Sequence, residues 1–344
     1  MPTGDFFKQK DRLMRYRKLG STNLEVSVIS FGAWQIGDPD FWGPGDESTP
    51  EDVVAAAVDA GINLFDTAEL YGDGNSEIVL GKALQGKRDN VYIASKVSTD
   101  HCAPGEVRKA CENSLQRLGT TWLDLYQIHW PFDRALYEDV HAELEKLKTE
   151  GKVRHVGVSN FGACDLDAWM KTGSAVSNQI GYNMLFRAPE YEMLPACREY
   201  GLGVLTYMPL MQGLLAGRYA SIGEIPMPRR RTRHFDGTRE GTRHGKSGHE
   251  EVLMDTVEDL FDFADAVGIS MSVLCLSWLI AQPGVTSVIL GSRNTEQLLT
   301  NLQAADLDIG PAAIAQLNEF TFPLKVAMGD NCDMWESDEN RRIH

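Results

Sequence analysis

No apolar run in the 344 residues is long enough to cross a bilayer, so the sequence offers no candidate for a membrane-spanning helix. The opening stretch, MPTGDFFKQKDRLMRYRK, lacks the apolar segment of a secretory signal, and the cytoplasm is the expected compartment. Cysteine is scarce. Cys102, Cys111, Cys164, Cys197, Cys275 and Cys332 show neither C-x-x-C spacing nor the density of a disulfide scaffold, which points to a reducing environment. Positive charge is also short: 33 Lys and Arg stand against 49 Asp and Glu, for a net charge of −16. Like charge repels nucleic acid and anionic lipid alike, so neither partner is expected. Low-complexity tracts are absent. What remains, with 43% hydrophobic and 24% charged residues, is an ordinary globular composition.

Within that composition, short β-rich apolar runs alternate with amphipathic segments, the signature of βαβ units around a parallel sheet. Strands are expected at Val28–Phe31, Asn63–Asp66, Val91–Ser95, Leu123–Ile128, His155–Val158, Ala175–Gln179, Val204–Tyr207 and Thr286–Leu290. Helices are expected at Pro50–Asp59, Ser76–Leu84, Gly105–Leu118, Tyr137–Thr149, Cys164–Thr172 and Glu190–Tyr200. Thr49-Pro50-Glu51-Asp52 reads as a helix start, and Gly61, Gly119, Gly151, Gly173 and Gly201 sit where left-handed helix stops belong. Arg15–Leu19 and Glu25–Val28 flank Gly20-Ser21-Thr22-Asn23 as a β-hairpin that would close the barrel's bottom. The expected fold is therefore α/β, a (β/α)8 TIM barrel with an N-terminal β-hairpin and a long loop after strand seven. It spans residues 1–344 as one domain, with a core over about 15–320 and a tail at 321–344. The long loop precedes helical segments at Glu250–Ala266 and Ser272–Ile280. It carries a basic stretch between Pro228 and Lys246 that either attracts a phosphorylated ligand or is a solvated loop.

Polar residues end the apolar runs at intervals of about thirty residues, one βα unit. Asp66 follows INLF, Lys96 follows VYIAS, His129 follows LDLYQI, and Ser159-Asn160 follows HVGV. In a parallel barrel all strand C-termini face one rim, so these groups converge there, with Gln179 and Tyr207 on the same ring. An ammonium at the end of a buried strand costs several kcal/mol unless it is paired, and Asp66 is the available carboxylate for Lys96. Singly, each residue has a structural reading; a lone histidine is more often core than catalyst. The set is far more specific than its members.

Three segments carry a family resemblance: Leu64-Phe65-Asp66-Thr67-Ala68-Glu69-Leu70-Tyr71-Gly72 with Glu77 and Gly81, then Ala94-Ser95-Lys96-Val97, then Asp124 through Pro131. Together with Gly151–Asn160 and Val288–Arg293 they resemble the aldo-keto reductases over most of the chain. The resemblance implies a catalytic tetrad of Asp66, Tyr71, Lys96 and His129, and hydride exchange between NADP(H) and a small carbonyl or alcohol (aldehyde, ketone or sugar-derived). A free phenol titrates near 10 and is a poor donor at neutral pH. An adjacent Lys96 ammonium is expected to lower the Tyr71 pKa and fit it as general acid and base. A neutral His129 can donate to the substrate oxygen.

For the cofactor, Gly72–Glu77 lacks the third glycine and the strand-turn setting of a dinucleotide fingerprint. By resemblance, Ser159, Asn160 and Gln179 meet the carboxamide, Tyr207 stacks on the nicotinamide, and Met208, Pro209, Leu210, Gly213, Leu214 and Arg218 pass along the pyrophosphate. Gly291, Ser292, Arg293, Gln297 and Asn301 match a helix-start phosphate site, and Arg293 favours NADP(H). NAD(H) stays open because Leu290 replaces a frequent proline and Thr300 a frequent glutamate. Trp34 is expected beside both cofactor and substrate, and Phe41, Trp42 and Trp130 complete an aromatic wall around Tyr71 and His129. Trp335 joins it only if the tail folds back. Two other readings remain: an NADP(H)-binding redox-sensing or regulatory subunit with slow turnover, and a metal-dependent hydrolase using His129 and His155. The second is disfavoured because no H-x-H or H-E-x-x-H spacing is present. Nothing in the sequence sets the oligomeric state.

Overall fold

Strand pairing in the computed structural model, which describes residues 7–9, 14–43 and 48–344, closes a ring. The N-terminal stretch read above for a signal lies mostly outside that set. In chain order the described strands are β1 (Phe7–Gln9), β2 (Tyr16–Lys18), β3 (Glu25–Ser27), β4 (Ile29–Gly32), β5 (Leu64–Asp66), β6 (Tyr92–Val97), β7 (Leu123–Ile128), β8 (Val153–Ser159), β9 (Ser177–Gly181), β10 (Gly203–Tyr207), β11 (Val285–Gly291) and β12 (Leu307–Ile309). Strands β4 to β11 form a closed parallel barrel in sequence order, with β11 pairing back onto β4. All eight expected strands are present within a few residues of their expected bounds. The expected hairpin is β2–β3, with Arg17 opposite Val26.

Alternation along the strands divides the interior into layers. Leu64, Ala94, Leu125, Leu205 and Ile289 form an apolar floor, sealed from below by Leu19, Leu24 and Val26 of the hairpin. One inward step higher on the same strands come Asp66, Lys96, Gln127 and Tyr207. The intervening residues, among them Phe65, Ile93, Tyr126, Val158, Ile180 and Val204, pack outward against the helices. The site is therefore a polar layer laid on an apolar plug.

The helices begin and end largely where the sequence marks them. Pro50–Asp59 starts at a Thr49–Asp52 capping box, and Glu106–Leu118 stops at Gly119 with φ 64°. Gly173 departs from expectation: it is extended, with φ −167°. Its glycine answers to space, since a Cβ there would lie 2.1 Å from the His141 ring. The β1–β12 pair was not expected. At the other end, the helix Pro311–Met328 runs through the boundary placed at residue 320, and residues 329–344 fold back onto the barrel. Among the described residues no single helix is long and apolar enough to cross a membrane.

The basic stretch divides between the two expected settings and internal partners: Arg229 and Arg231 line a cavity, Arg243 and Lys246 remain more than half exposed, and several of its charges pair within the chain. Arg239 pairs with Glu250, Arg243 with Glu336, and Lys246 with Glu339. Arg233 donates to backbone carbonyls of Met328, Asn331 and Asp333. The long loop is thereby fastened to the chain's last residues.

Candidate active site

Lys96 is fully buried at the end of β6, with its Nζ 2.6 Å from Asp66 Oδ1, 2.9 Å from the Thr67 carbonyl and 3.2 Å from Tyr71 Oη. The ammonium thus has three partners, which is what its burial demands. The second oxygen of Asp66 accepts from Gln179 Nε2 at 2.7 Å and lies 3.4 Å from Gln127 Nε2. Tyr71 stands on the turn after β5. Gly72 follows it with φ 56°, and a Cβ there would lie 2.3 Å from the Gly37 carbonyl, so glycine is required for the turn to seat. Beneath the turn, buried Glu77 accepts from Ser95 Oγ at 2.5 Å and from Arg117 Nε at 2.6 Å. That link ties the Tyr71 turn to the strand carrying Lys96.

Electrostatics correct one expectation. Burial pushes the Tyr71 phenol above its ordinary value; Lys96 pulls it down without overcoming the loss of water, and Asp66 adds to the rise. Burial also acts to lower Lys96, but Asp66 and Tyr71 outweigh it and hold the ammonium above its usual pKa. His129, buried and near Lys96, is held well below the ordinary imidazole value and is neutral. Its ring stands edge-on to Tyr71, with centroids 5.7 Å apart.

A cavity of about 840 Å³ opens above these groups. Trp34, Asp66, Tyr71, His129, Trp130, Ser159, Asn160, Gln179, Tyr207, Met208, Pro209, Leu210, Gly213 and Arg218 line it at and beyond the strand ends. Phe41, Trp42, Gly291, Ser292, Arg293, Gln297 and Asn301 complete the residues the sequence singled out there. Two do not line it: Lys96 lies beneath Tyr71, and Leu214 is buried in the apolar core. Tyr207 Oη donates to Asn160 Oδ1 at 2.7 Å, and Asn160 takes a left-handed φ of 63°. At the far end, Asn294 caps the helix Thr295–Leu302 by accepting from Gln297 N, and Arg293 donates to the Trp42 carbonyl at 2.6 Å. Neutral donors at one end and Arg218, Arg229, Arg231 and Arg293 at the other suit a long ligand with an amide head and phosphates.

The aromatic wall is built from two groups of rings. Trp34 stacks on Tyr71 at 5.4 Å and on Phe41 at 4.8 Å, and meets Trp42 edge-on. Trp335 completes it, because the tail does fold back: its ring lies edge-on to Trp130 at 5.7 Å and parallel to Tyr207 at 6.5 Å. Arg342 covers Trp130 at 3.8 Å and forms a two-pronged pair with buried Asp333. From the basic stretch only Arg229, Arg231 and the neighbouring Pro228 and Thr232 reach the cavity, with Arg229 over Trp42 and Arg231 over Phe41. Sequence reasoning missed Gln127. Its signal was available: it lies two residues before His129 on the same inward face.

Comparison with known proteins agrees with this geometry. The Aldo/keto reductase family model matches residues 28–321. The aldo-keto reductase YhdN of Bacillus subtilis is 33% identical over 296 residues, covering 83% of this chain and 87% of that protein. The NADH-specific methylglyoxal reductase of Escherichia coli is 30% identical over 340 residues, covering 91% of this chain and 100% of that protein. Among solved structures, an aldo/keto reductase from Klebsiella pneumoniae in complex with NADP and acetate superposes with a TM-score of 0.70 at 29% identity, covering 96% of this chain and 99% of that one. The closed parallel barrel, its polar rim and these matches along nearly its whole length lead to one assignment: the chain belongs to the aldo/keto reductase family.

Proposed function

We propose that this protein reduces small aldehydes and ketones with NADP(H), using Tyr71 as the proton donor, and that it does so in the cytoplasm. The observation that carries the reading is the chain Asp66–Lys96–Tyr71, closed at 2.6 and 3.2 Å, with Asp66 and Lys96 buried and Tyr71 lining the cavity. When bound, the cofactor supplies the hydride. Ser159, Asn160 and Gln179 would hold its amide end, the Tyr207 ring its flat face, and the helix start at Asn294 with Arg218, Arg229, Arg231 and Arg293 its phosphates. The arginine-rich end favours the phosphorylated cofactor. Since a relative of similar length is named NADH-specific, both cofactors belong in the test.

The residues divide the proton chemistry between them. Burial keeps Tyr71 protonated and makes it by itself a reluctant donor, so the transfer depends on the Lys96 charge, which acts against that rise. Giving up that proton to the carbonyl oxygen leaves a phenolate, which Lys96 stabilises at 3.2 Å. Asp66 keeps Lys96 charged and aimed, and is itself aimed by Gln179. Among the described residues His129 Nδ1 is buried without a hydrogen-bond partner, and a proton there would be costly, so the neutral ring carries its proton on Nε2. From there it donates to the substrate oxygen as negative charge builds, an effect of about 3 kcal/mol in comparable sites. The aromatic wall suits flat or apolar carbonyl substrates.

The test is a panel of aldehydes, ketones and oxidised sugars, with methylglyoxal included, mixed with protein and either NADPH or NADH and followed at the nicotinamide absorbance. Consumption of NADPH ahead of NADH is expected. Tight binding of both cofactors with no consumption by any carbonyl would overturn the reading.

A further inference from the structure

Arg233 lies beside the residues that meet the cavity, yet its side chain turns away from them. Arg229, Arg231 and Thr232 line the cavity. The Arg233 guanidinium instead donates to the carbonyls of Asn331 at 2.7 Å, Met328 at 3.0 Å and Asp333 at 3.0 Å, and its backbone N–H reaches the Met334 carbonyl at 2.8 Å. Three carbonyls on one planar fork fix both position and angle, which a single ammonium does less well.

The segment so held is the one that carries Trp335. The carboxylate of Asp333, fully buried, accepts from the Trp335 backbone N–H at 3.1 Å and from Arg342 Nε and Nη2, each at 2.8 Å. Trp335 then faces the cavity that also contains Tyr71 and His129. One short chain of contacts therefore runs from the cofactor-facing loop, through Arg233 and Asp333, to the wall on the substrate side. His234 anchors the same loop from behind, within hydrogen-bond distance of the Leu185 carbonyl at 2.9 Å.

We infer that Arg233 is a positioning residue for substrate choice: it seats the Trp335 wall and ties that wall to the loop that lies along the cofactor. The inference rests on the reductase reading above. Two consequences follow. Carbonyls large enough to touch Trp335 depend on Arg233, whereas small ones do not. Ligands at the two ends also strengthen one another, because a ligand shifts the arrangement only through contacts that differ between states, and linkage makes the effect mutual.

The test compares wild type with Arg233→Met, which keeps length and loses every donor, and with Arg233→Lys. For methylglyoxal, kcat and KM are expected to stay within about two-fold in both variants. For 2-naphthaldehyde, KM is expected to rise about five-fold or more in Arg233→Met with kcat little changed, and Arg233→Lys to recover part of that loss. Calorimetry of NADP⁺ binding, with and without 2-naphthaldehyde, should show mutual strengthening of about five-fold in wild type and none in Arg233→Met. Equal changes for both aldehydes, or an unchanged naphthaldehyde KM in a folded variant, overturn the inference. If Arg233→Met fails to fold, Trp335→Ala decides: it must raise the naphthaldehyde KM at least as much, and an unchanged KM removes the wall from the substrate. Should wild type turn over neither aldehyde, the reductase reading fails, and the calorimetric comparison still settles the coupling.

Discussion

Replacing Lys96 with Met removes a buried cation while keeping most of the side-chain volume, and its consequences can be worked from the distances. At 3.2 Å from Tyr71 Oη, and with an effective dielectric near 20, the ammonium favours the phenolate by about 5 kcal/mol. Loss of the charge therefore raises the Tyr71 pKa further, since the Lys96 pull is what opposes burial there. A phenol already held high by burial then becomes a far weaker acid, and loss of general-acid assistance costs about 10² to 10⁴ in rate. Stability falls as well, because Asp66 is left buried without its cation; breaking such a pair costs about 3–5 kcal/mol. The two effects separate in the double variant Lys96→Met with Asp66→Asn, which should recover much of the stability and none of the rate. Single-turnover oxidation of bound NADPH by methylglyoxal, followed by stopped flow from pH 6 to 9, measures the first; urea unfolding measures the second. A Lys96→Met enzyme that keeps its rate within ten-fold, or a double variant that regains it, refutes the assignment of Lys96.

Other outcomes follow from the same structure. Arg229→Gln with Arg231→Gln should weaken NADPH binding about ten-fold, less so in high salt; unchanged titrations would remove these residues from the phosphate end. His234 is fully buried, and burial lowers its pKa to about 3, so below about pH 6.5 the unfolded chain takes up a proton that the folded one refuses. Stability is therefore fully present above pH 6.5 and falls by about 3 kcal/mol on the way to pH 4.5 from this residue alone. Denaturation at the two pH values should show a correspondingly smaller loss in His234→Asn, and an equal loss would assign the acid sensitivity elsewhere.

Most of the barrel was legible because it rests on local signals. Alternation in INLF and VYIAS marks strands whatever surrounds them, and the cost of burying Lys96 singled out Asp66 as its partner before any coordinates. The tail was not legible for the converse reason. Residues 329–344 carry no period, and part of what holds them is a set of backbone carbonyls gripped by Arg233, acceptors that every residue offers and no sequence advertises. The basic stretch was legible only in part: an arginine run shows its charge, while the partners of Arg239, Arg243 and Lys246, namely Glu250, Glu336 and Glu339, lie up to 93 residues away along the chain. The β1–β12 pair escaped because its strands lie at opposite ends of the chain, Phe7 opposite Ile309, with no turn between them to signal the pairing. For Tyr71 the sequence named Lys96, which lowers the phenol pKa, but not the burial that raises it, because burial is a property of the fold.

The most direct measurement removes one oxygen. Tyr71→Phe keeps the ring against Trp34 and should bind NADPH as wild type does, yet consume it with methylglyoxal at least about 100-fold more slowly. Equal rates in the two proteins, at matched cofactor occupancy, would mean that the proton comes from somewhere else and that the mechanism set out above is wrong.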